Sequence, residues 1–168
     1  MELVSFVERA KSSGFHRWLL NIAFDRFVPF NKPHRFRVLE VGDHHVKTLL
    51  PYRRRNLNHV KGLHACALAT LTELTSGFLL AAKLDPKKFR LILKRLEIDY
   101  LWQGKMDAVC EFRLPGDKLN ETIINPLQSI ESIVFVAEVN IFDIKGNQLT
   151  SGKAHWQIKD WTRVKTKA

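Results

Sequence analysis

The segment from Leu63 to Leu84 constrains the fold more than any other part of this chain. It contains no proline, and Ala, Leu or Phe occupies about half of its positions. A helix that is apolar on nearly every side is normally buried on nearly every side. Its many small residues also favour close packing against a sheet or a second chain. The segment therefore predicts one long helix at the centre of the molecule.

The residues on both sides of this segment alternate between apolar and polar side chains, as half-buried strands do. Before it, residues 36–41 and 46–50 flank a turn at Gly42-Asp43 and predict a hairpin. After it, the alternation predicts four antiparallel strands, at about 95–102, 108–114, 129–142 and 148–161. One sheet wrapped around one apolar helix explains this order. We therefore predict an α+β fold.

Two prolines divide the chain into two parts. The N-terminal residues have helical spacing until Pro29 and Pro33 end the pattern. We predict an N-terminal helical extension over residues 1–32 and a single domain, holding the sheet and the central helix, over residues 33–162. A length of 168 residues is enough for one such domain with a substantial core.

The N-terminal extension carries an apolar stripe on one helical face. Its members are Phe15, Trp18, Leu19, Ile22 and Phe27. We expect this stripe to pack on the core of the domain. The alternative is a helix that lies in a membrane interface, because Arg17 and Arg26 flank the stripe.

Two further features bear on the compartment. The only cysteines, Cys66 and Cys110, do not form a disulfide framework, and we expect both to be small buried thiols in a reducing environment. No segment has the pattern of a signal peptide, and no apolar run reaches the roughly 20 residues of a spanning helix. We therefore expect a cytoplasmic protein without a transmembrane segment.

The run over residues 58–66, together with Glu73, is best suited to chemistry. The start of the central helix offers free backbone N–H groups and a positive dipole end to a developing oxyanion, and the amides of Ala65 and Cys66 lie there. Glu73 is the one charged residue between positions 63 and 82. A carboxylate in so apolar a helix has to be hydrogen-bonded, paired or protonated, which makes it a functional candidate.

This run resembles the hotdog superfamily, and within it most closely the phenylacetate-pathway type of acyl-CoA thioesterase. From Asn58 the sequence reads Asn-His-Val-Lys-Gly-Leu-His-Ala-Cys. In those proteins an Asn and a glycine-containing turn precede a His-Gly-Gly that opens the helix, and an Asp or Glu follows nine residues after the His. Here His64 lies six residues after Asn58 and nine before Glu73. A hotdog subfamily without an assigned activity resembles the chain more closely still, because it shares the Asn-His pair and the alanine-rich helix.

The resemblance implies a hotdog fold, with an antiparallel sheet around a long central helix, and acyl-CoA thioester hydrolysis at the interface of a two-fold dimer. In that reaction Glu73 would orient water, and Asn58 and His64 would position the water and the carbonyl. The amide of Ala65 would hold the oxyanion. Coenzyme A would be part of the substrate, and no separate cofactor is expected.

Helix geometry gives an independent argument for the dimer. Nine helical residues rise by about 13.5 Å and turn through about 900°, so His64 and Glu73 point to opposite sides of the helix. One thioester cannot contact both within a single chain. If both residues act, the site combines Asn58 and His64 of one subunit with Glu73 of the other. We therefore expect a homodimer, or a dimer of dimers.

The charge of the chain favours an anionic ligand. The formal net charge is +10, which attracts nucleic acid, anionic lipid or a phosphorylated molecule. The basic groups lack the interleaved aromatic side chains of a base-stacking surface, so nucleic acid is the least favoured of these. Arg53, Arg54 and Arg55 are candidate contacts for the phosphates of coenzyme A, on charge alone.

Three structural roles and one second function stay open. His64 could cap the helix, Asn58 could shape a turn, and Glu73 could pair with an arginine across the dimer. The histidines lack a recognisable zinc spacing, so no metal is expected. Ala65-Cys66 stands where the similar enzymes have two glycines, and this departure motivates the alternative of a non-catalytic hotdog protein that binds acyl-CoA or lipid.

Overall fold

The computed structural model describes residues 3–163, with the backbone alone at residues 3–5 and 163. The main helices are α1 (Leu3–Ser12), α2 (Gly14–Phe27) and α3 (Ala65–Lys83), and short helices α4 (Gly116–Leu119) and α5 (Pro126–Ser129) flank a π-helical turn at Asn120–Ile124. The strands are β1 (Arg37–Val41), β2 (His45–Leu50), β3 (Phe89–Tyr100), β4 (Ala108–Arg113), β5 (Ser132–Asp143) and β6 (Gln148–Asp160). Single 3₁₀ turns occupy Arg54–Asn56 and Trp161–Arg163.

The strands form one antiparallel six-stranded sheet in the order β1-β2-β4-β5-β6-β3. Helix α3 lies against it and contacts strands β2 to β6. The predicted α+β fold, an antiparallel sheet around a long central helix with N-terminal helices, is therefore confirmed. The sheet is continuous, with β1 and β3 as its two edges.

Helix α3 matches the predicted segment to within two residues at each end. It begins after His64, which caps its first turn, and ends at Lys83, before Asp85-Pro86. By length and composition alone this helix could also cross a membrane, and 56% of its most apolar stretch is buried inside the protein. Gly77 allows the close packing of this helix on β6, because a Cβ there would lie 2.7 Å from the Trp156 ring.

Helix α2 turns a different face to the core than its spacing predicted. Four members of the predicted stripe are exposed: Phe15, Trp18, Ile22 and Phe27. The buried residues of the helix are Leu20 and Asn21. Asn21 decides this orientation, because its Oδ1 accepts a hydrogen bond from the Val38 N–H at 2.7 Å and its Nδ2 donates to the Val38 carbonyl at 3.2 Å. The prediction that the whole stripe packs on the core is wrong.

Two other regions differ from the predicted boundaries. Strand β3 begins at Phe89, before the predicted start near residue 95, because consecutive apolar residues at 91–93 hide the alternation and a register shift follows at Leu93/Arg95. The helices over residues 116–129 were not predicted. They bury Ile123 and Leu127 against the core and connect β4 to β5.

Candidate active site

The loop before α3 is built around Asn58. The Asn58 Oδ1 accepts hydrogen bonds from the amides of Val60, at 3.1 Å, and Gly62, at 2.9 Å. Lys61 adopts a left-handed conformation with a φ of 60°, and its amide donates to the Asn58 carbonyl. Asn58 thus has the turn-shaping role, and its Nδ2 is the part of the side chain that stays available to a ligand.

His64 caps the first turn of α3 and is exposed. Its Nδ1 accepts a hydrogen bond from the Cys66 amide at 3.1 Å. A neutral imidazole that accepts at Nδ1 carries its proton on Nε2, so we assign the exposed Nε2–H as a donor. The helix-capping role is therefore real, and it leaves a donor at the helix start that could polarise a carbonyl.

One amide of the helix start remains for an oxyanion. Because the Cys66 N–H is bonded to His64, the expectation that it joins the Ala65 N–H as an oxyanion donor is wrong. Ala65 is exposed, and among residues 3–163 its N–H has no hydrogen-bond partner. The Ala65 carbonyl accepts from the Tyr100 hydroxyl at 3.1 Å, which places Tyr100 beside this turn. Sequence reasoning did not identify Tyr100, since strand alternation alone explained it.

The two cysteines have different environments. Cys110 is buried on β4, and burial raises the pKa of its thiol to about 12. Cys66 is exposed, so the expectation that both thiols are buried is wrong. The physical reason is that the first turn of α3 carries Cys66 on the side away from the sheet, whereas Ala67 and Leu68 face the core.

Glu73 lies half-buried near the middle of α3. Desolvation by burial raises the pKa of its carboxyl above the ordinary value. Within the described part of the chain, no arginine, lysine or hydrogen-bond donor pairs with this carboxylate. A desolvated carboxylate without a partner is costly to the fold, and such groups cluster at functional sites.

Glu73 faces an apolar cavity of about 810 Å³ between the N-terminal helices and α3. Of the described residues, Asn58, His64 and Ala65 do not line this cavity, whereas Thr70 and Glu73 do. A single chain therefore separates the predicted site into two halves. One half is the helix start, and the other is the carboxylate on the cavity wall.

The arginines lie close to the helix start. Arg54 and Arg55 are exposed in the 3₁₀ turn Arg54–Asn56, and Arg53 precedes it. The Asn56 carbonyl accepts the His64 amide at 2.8 Å, so this turn is tied directly to the start of α3. Among residues 3–163, no three His, Cys, Asp or Glu side chains are grouped so as to hold a metal ion.

A domain family described as a domain of unknown function, DUF4442, matches residues 16–165. The chain belongs to this family. No curated protein matches the chain.

Several solved structures with a similar fold are described as thioesterases. A Pseudomonas aeruginosa protein of unknown function, described as a probable thioesterase, superimposes with a TM-score of 0.79 at 22% identity, over 85% of this chain and 95% of that one. A Staphylococcus aureus thioesterase mutant has a TM-score of 0.64 at 14% identity, over 79% and 99%. A Haemophilus influenzae thioesterase has a TM-score of 0.69 at 9% identity, over 95% and 99%. At these identities the similarity shows the fold, and this DUF4442 member has the hotdog fold.

Proposed function

We propose that this DUF4442 protein hydrolyses acyl-CoA thioesters, with each site formed between two copies of the chain. The observation that carries the proposal is Glu73, a desolvated carboxylate without a partner among the described residues, on the wall of an apolar cavity. Its raised pKa brings the carboxyl closer to neutrality, where a general base is most effective. No separate cofactor is required.

The reaction follows from the two halves of the site. Glu73 of one subunit takes a proton from a water molecule, whose oxygen attacks the thioester carbonyl carbon. The Ala65 N–H and the His64 Nε2–H of the other subunit stabilise the oxyanion, and the Asn58 Nδ2 orients the water. The tetrahedral intermediate then expels the coenzyme A thiolate, which takes the proton from Glu73. The products are a carboxylic acid and the free thiol.

A dimer is supported by the unpaired edge strand β3. Strand β3 covers 12 residues at one end of the sheet. An exposed edge of this length invites pairing with a second chain. Exposed apolar side chains cluster where this strand ends, beside the start of α3: Val60, Tyr100, Leu101 and Trp102. Covering this surface with a partner would bring a second subunit to His64 and Ala65.

The position of the arginines supports coenzyme A as the leaving group. Arg53, Arg54 and Arg55 belong to the turn whose Asn56 carbonyl binds the His64 amide. Three guanidinium groups there would meet the phosphates of coenzyme A while its thioester lies at the start of α3.

The test uses two single variants, Glu73→Gln and His64→Ala, with Glu138→Gln as a matched control on the outer face of the sheet. Release of free thiol from acyl-CoA substrates should fall 100- to 10,000-fold in Glu73→Gln, as expected for loss of a general base. Glu138→Gln should keep the wild-type rate. Full activity of Glu73→Gln would remove Glu73 from the mechanism.

Co-refolding of the two inactive variants tests the shared site. Random pairing makes half of the dimers mixed, and each mixed dimer contains one intact site of two, so about a quarter of the wild-type activity should return. If each chain held a complete site, no activity would return.

One observation favours a second function, the non-catalytic binding of acyl-CoA. The His64 imidazole accepts the hydrogen bond of the Cys66 amide, which leaves a single backbone donor at the helix start. Saturable acyl-CoA binding by a folded dimer that releases no thiol would establish this second function. Thiol release that depends on Glu73 would exclude it.

A further inference from the structure

The apolar cavity is built from both parts of the chain. Helix α3 contributes one wall, and α2 with the turn after it contributes the facing wall, through residues that include Leu20, Ala23, Phe24 and Phe27. The Phe24 and Phe78 rings, which both line the cavity, contact each other edge to face with 5.2 Å between centroids and so join the two walls. Asn21 holds the α2 wall in place through the backbone of β1. The N-terminal helices therefore complete a cavity that the sheet and α3 alone would leave open.

One end of the cavity wall on α3 is polar, and the rest of that wall is apolar. The α3 wall consists of one stripe along three helical turns: Thr70, Glu73, Leu74, Gly77, Phe78 and Ala81. From Thr70 to Ala81 the helix rises by about 16 Å. Thr70 and Glu73 lie at the end nearer the helix start, and the remaining positions of the stripe are apolar. Such a wall suits a ligand with one reactive polar end and a long hydrocarbon tail.

An extended chain of about a dozen carbons fits this length. An extended polypeptide advances by about 3.5 Å per residue over three bonds, hence about 1.2 Å per bond. A saturated hydrocarbon chain has similar bond geometry, so 16 Å of wall accommodates about 13 bonds. The volume of about 810 Å³ lies within the range of small-molecule sites.

A second observation also indicates a ligand. Asn31 lines the same cavity and is 2% exposed, yet its side-chain nitrogen has no hydrogen-bond partner among the described residues. Buried polar groups are normally satisfied, so an unsatisfied donor on a cavity wall points to an occupant with an oxygen acceptor. The carboxylate of a bound fatty acid, the product of the proposed reaction, has two oxygens and can supply such an acceptor, and a plain hydrocarbon cannot. Phe27, which is 83% exposed, lies at the cavity rim.

We infer that the cavity binds the unbranched, medium- to long-chain acyl group of the substrate, and that the N-terminal helices set its preferred length. The inference rests on the proposed function only for the step of hydrolysis. The binding of a fatty acyl chain follows from the cavity itself and can be measured without turnover.

Binding is measured with a series of saturated fatty acids of increasing length, by displacement of a fluorescent fatty acid and by calorimetry. Each added carbon should improve affinity about three- to fourfold until the chain fills the cavity, near 12 carbons, and should add little beyond that. Two variants narrow the cavity from opposite walls, Ala81→Phe on α3 and Ala23→Phe on α2. Asn120→Phe, an exposed neutral position outside the cavity, is the matched control.

Both cavity variants should shorten the preferred chain by several carbons and weaken binding of the 12-carbon acid at least tenfold. Both cavity variants should bind the six-carbon acid with wild-type affinity. The control variant should bind every acid of the series with wild-type affinity. Two variants on different walls guard against a folding defect in one of them. Affinity that does not depend on chain length, or a wild-type length profile in both folded variants, would overturn the inference.

The same proteins are then assayed for thiol release with acyl-CoA substrates of matching length. Length-dependent fatty-acid binding without thiol release would reject the hydrolysis and keep the acyl cavity. Glu73-dependent hydrolysis with the same kcat/KM for four- and 12-carbon substrates would keep the hydrolysis and reject the acyl cavity. The two proposals therefore fail through different measurements.

Discussion

The strongest structural prediction concerns Asn21, which attaches α2 to the edge of the sheet. Asn21 is 8% exposed, and its side chain makes three hydrogen bonds, to the Val38 N–H at 2.7 Å, the Val38 carbonyl at 3.2 Å and the Arg17 carbonyl at 3.0 Å. Val38 is itself buried on β1. Removing the Asn21 amide would leave a buried N–H and a buried carbonyl of Val38 without partners.

The magnitude follows from those two groups. Each unsatisfied buried polar group costs about 1–3 kcal/mol, and partial entry of water reduces the sum, so we expect about 2–4 kcal/mol for Asn21→Leu. Leucine has the same branched shape and the same number of side-chain heavy atoms as asparagine, so the substitution removes the hydrogen bonds without leaving a cavity. At about 2–4 °C per kcal/mol for a protein of this size, Tm should fall by roughly 5–15 °C.

The assay is urea unfolding followed by circular dichroism, together with a thermal scan. Asn140→Leu, at an exposed position of β5, serves as the control and should change stability by less than about 0.5 kcal/mol. Fatty-acid binding should also weaken in Asn21→Leu, because one wall of the apolar cavity loses its anchor. A free energy of unfolding for Asn21→Leu within 0.5 kcal/mol of wild type would refute the anchoring role.

Two further predictions concern ionisable side chains. Burial raises the pKa of Glu73 in the folded protein above its value in the unfolded chain. Between these two pKa values the folded chain holds a proton that the unfolded chain has lost, so stability falls as pH rises through that window. Glu73→Gln should therefore have a higher Tm than wild type above the window and an equal Tm below it; equal Tm values across a pH series would contradict the desolvation. For the thiols, Ellman's reagent should leave Cys110, buried with a pKa of about 12, unmodified in the native protein and should react with it only after denaturation. Rapid reaction of Cys110 in the native state would contradict the packing of β4.

The sequence predicted the central helix and most of the strands accurately because each carries its own periodic signal. The segment from Leu63 to Leu84 was apolar on nearly every side, and the helix observed is Ala65–Lys83. The final strand was predicted at about 148–161 and observed at Gln148–Asp160. Where the signal was irregular, as in the apolar run at 91–93 and in residues 116–129, the boundaries or the elements were missed.

The candidate site, too, was predictable from the sequence only in part. The nine-residue spacing from His64 to Glu73 was enough to predict that one chain cannot bring both to one thioester, and the structure places Glu73 on a cavity wall that His64 does not line. The hydrogen bond from the Cys66 amide to the His64 imidazole was not foreseeable from spacing, because it depends on the rotamer of an exposed cap residue. The two-chain site itself stays a prediction.

The run over residues 58–66 and the apolar helix after it determined, by themselves, the fold class and the positions at which a carboxylate and free amides occur. Periodicity permits these predictions because it shows which residues share one face of their own helix or strand. Only the tertiary structure decided which neighbour covers each face. The Asn21 side chain, by bonding the backbone of Val38, turns Leu20 and Phe24 inward and Trp18 outward, and so closes a cavity over Glu73. That contact joins residues 17 positions apart through hydrogen bonds to backbone groups. Every residue has such backbone groups, so the sequence does not indicate which of them a distant side chain will bind.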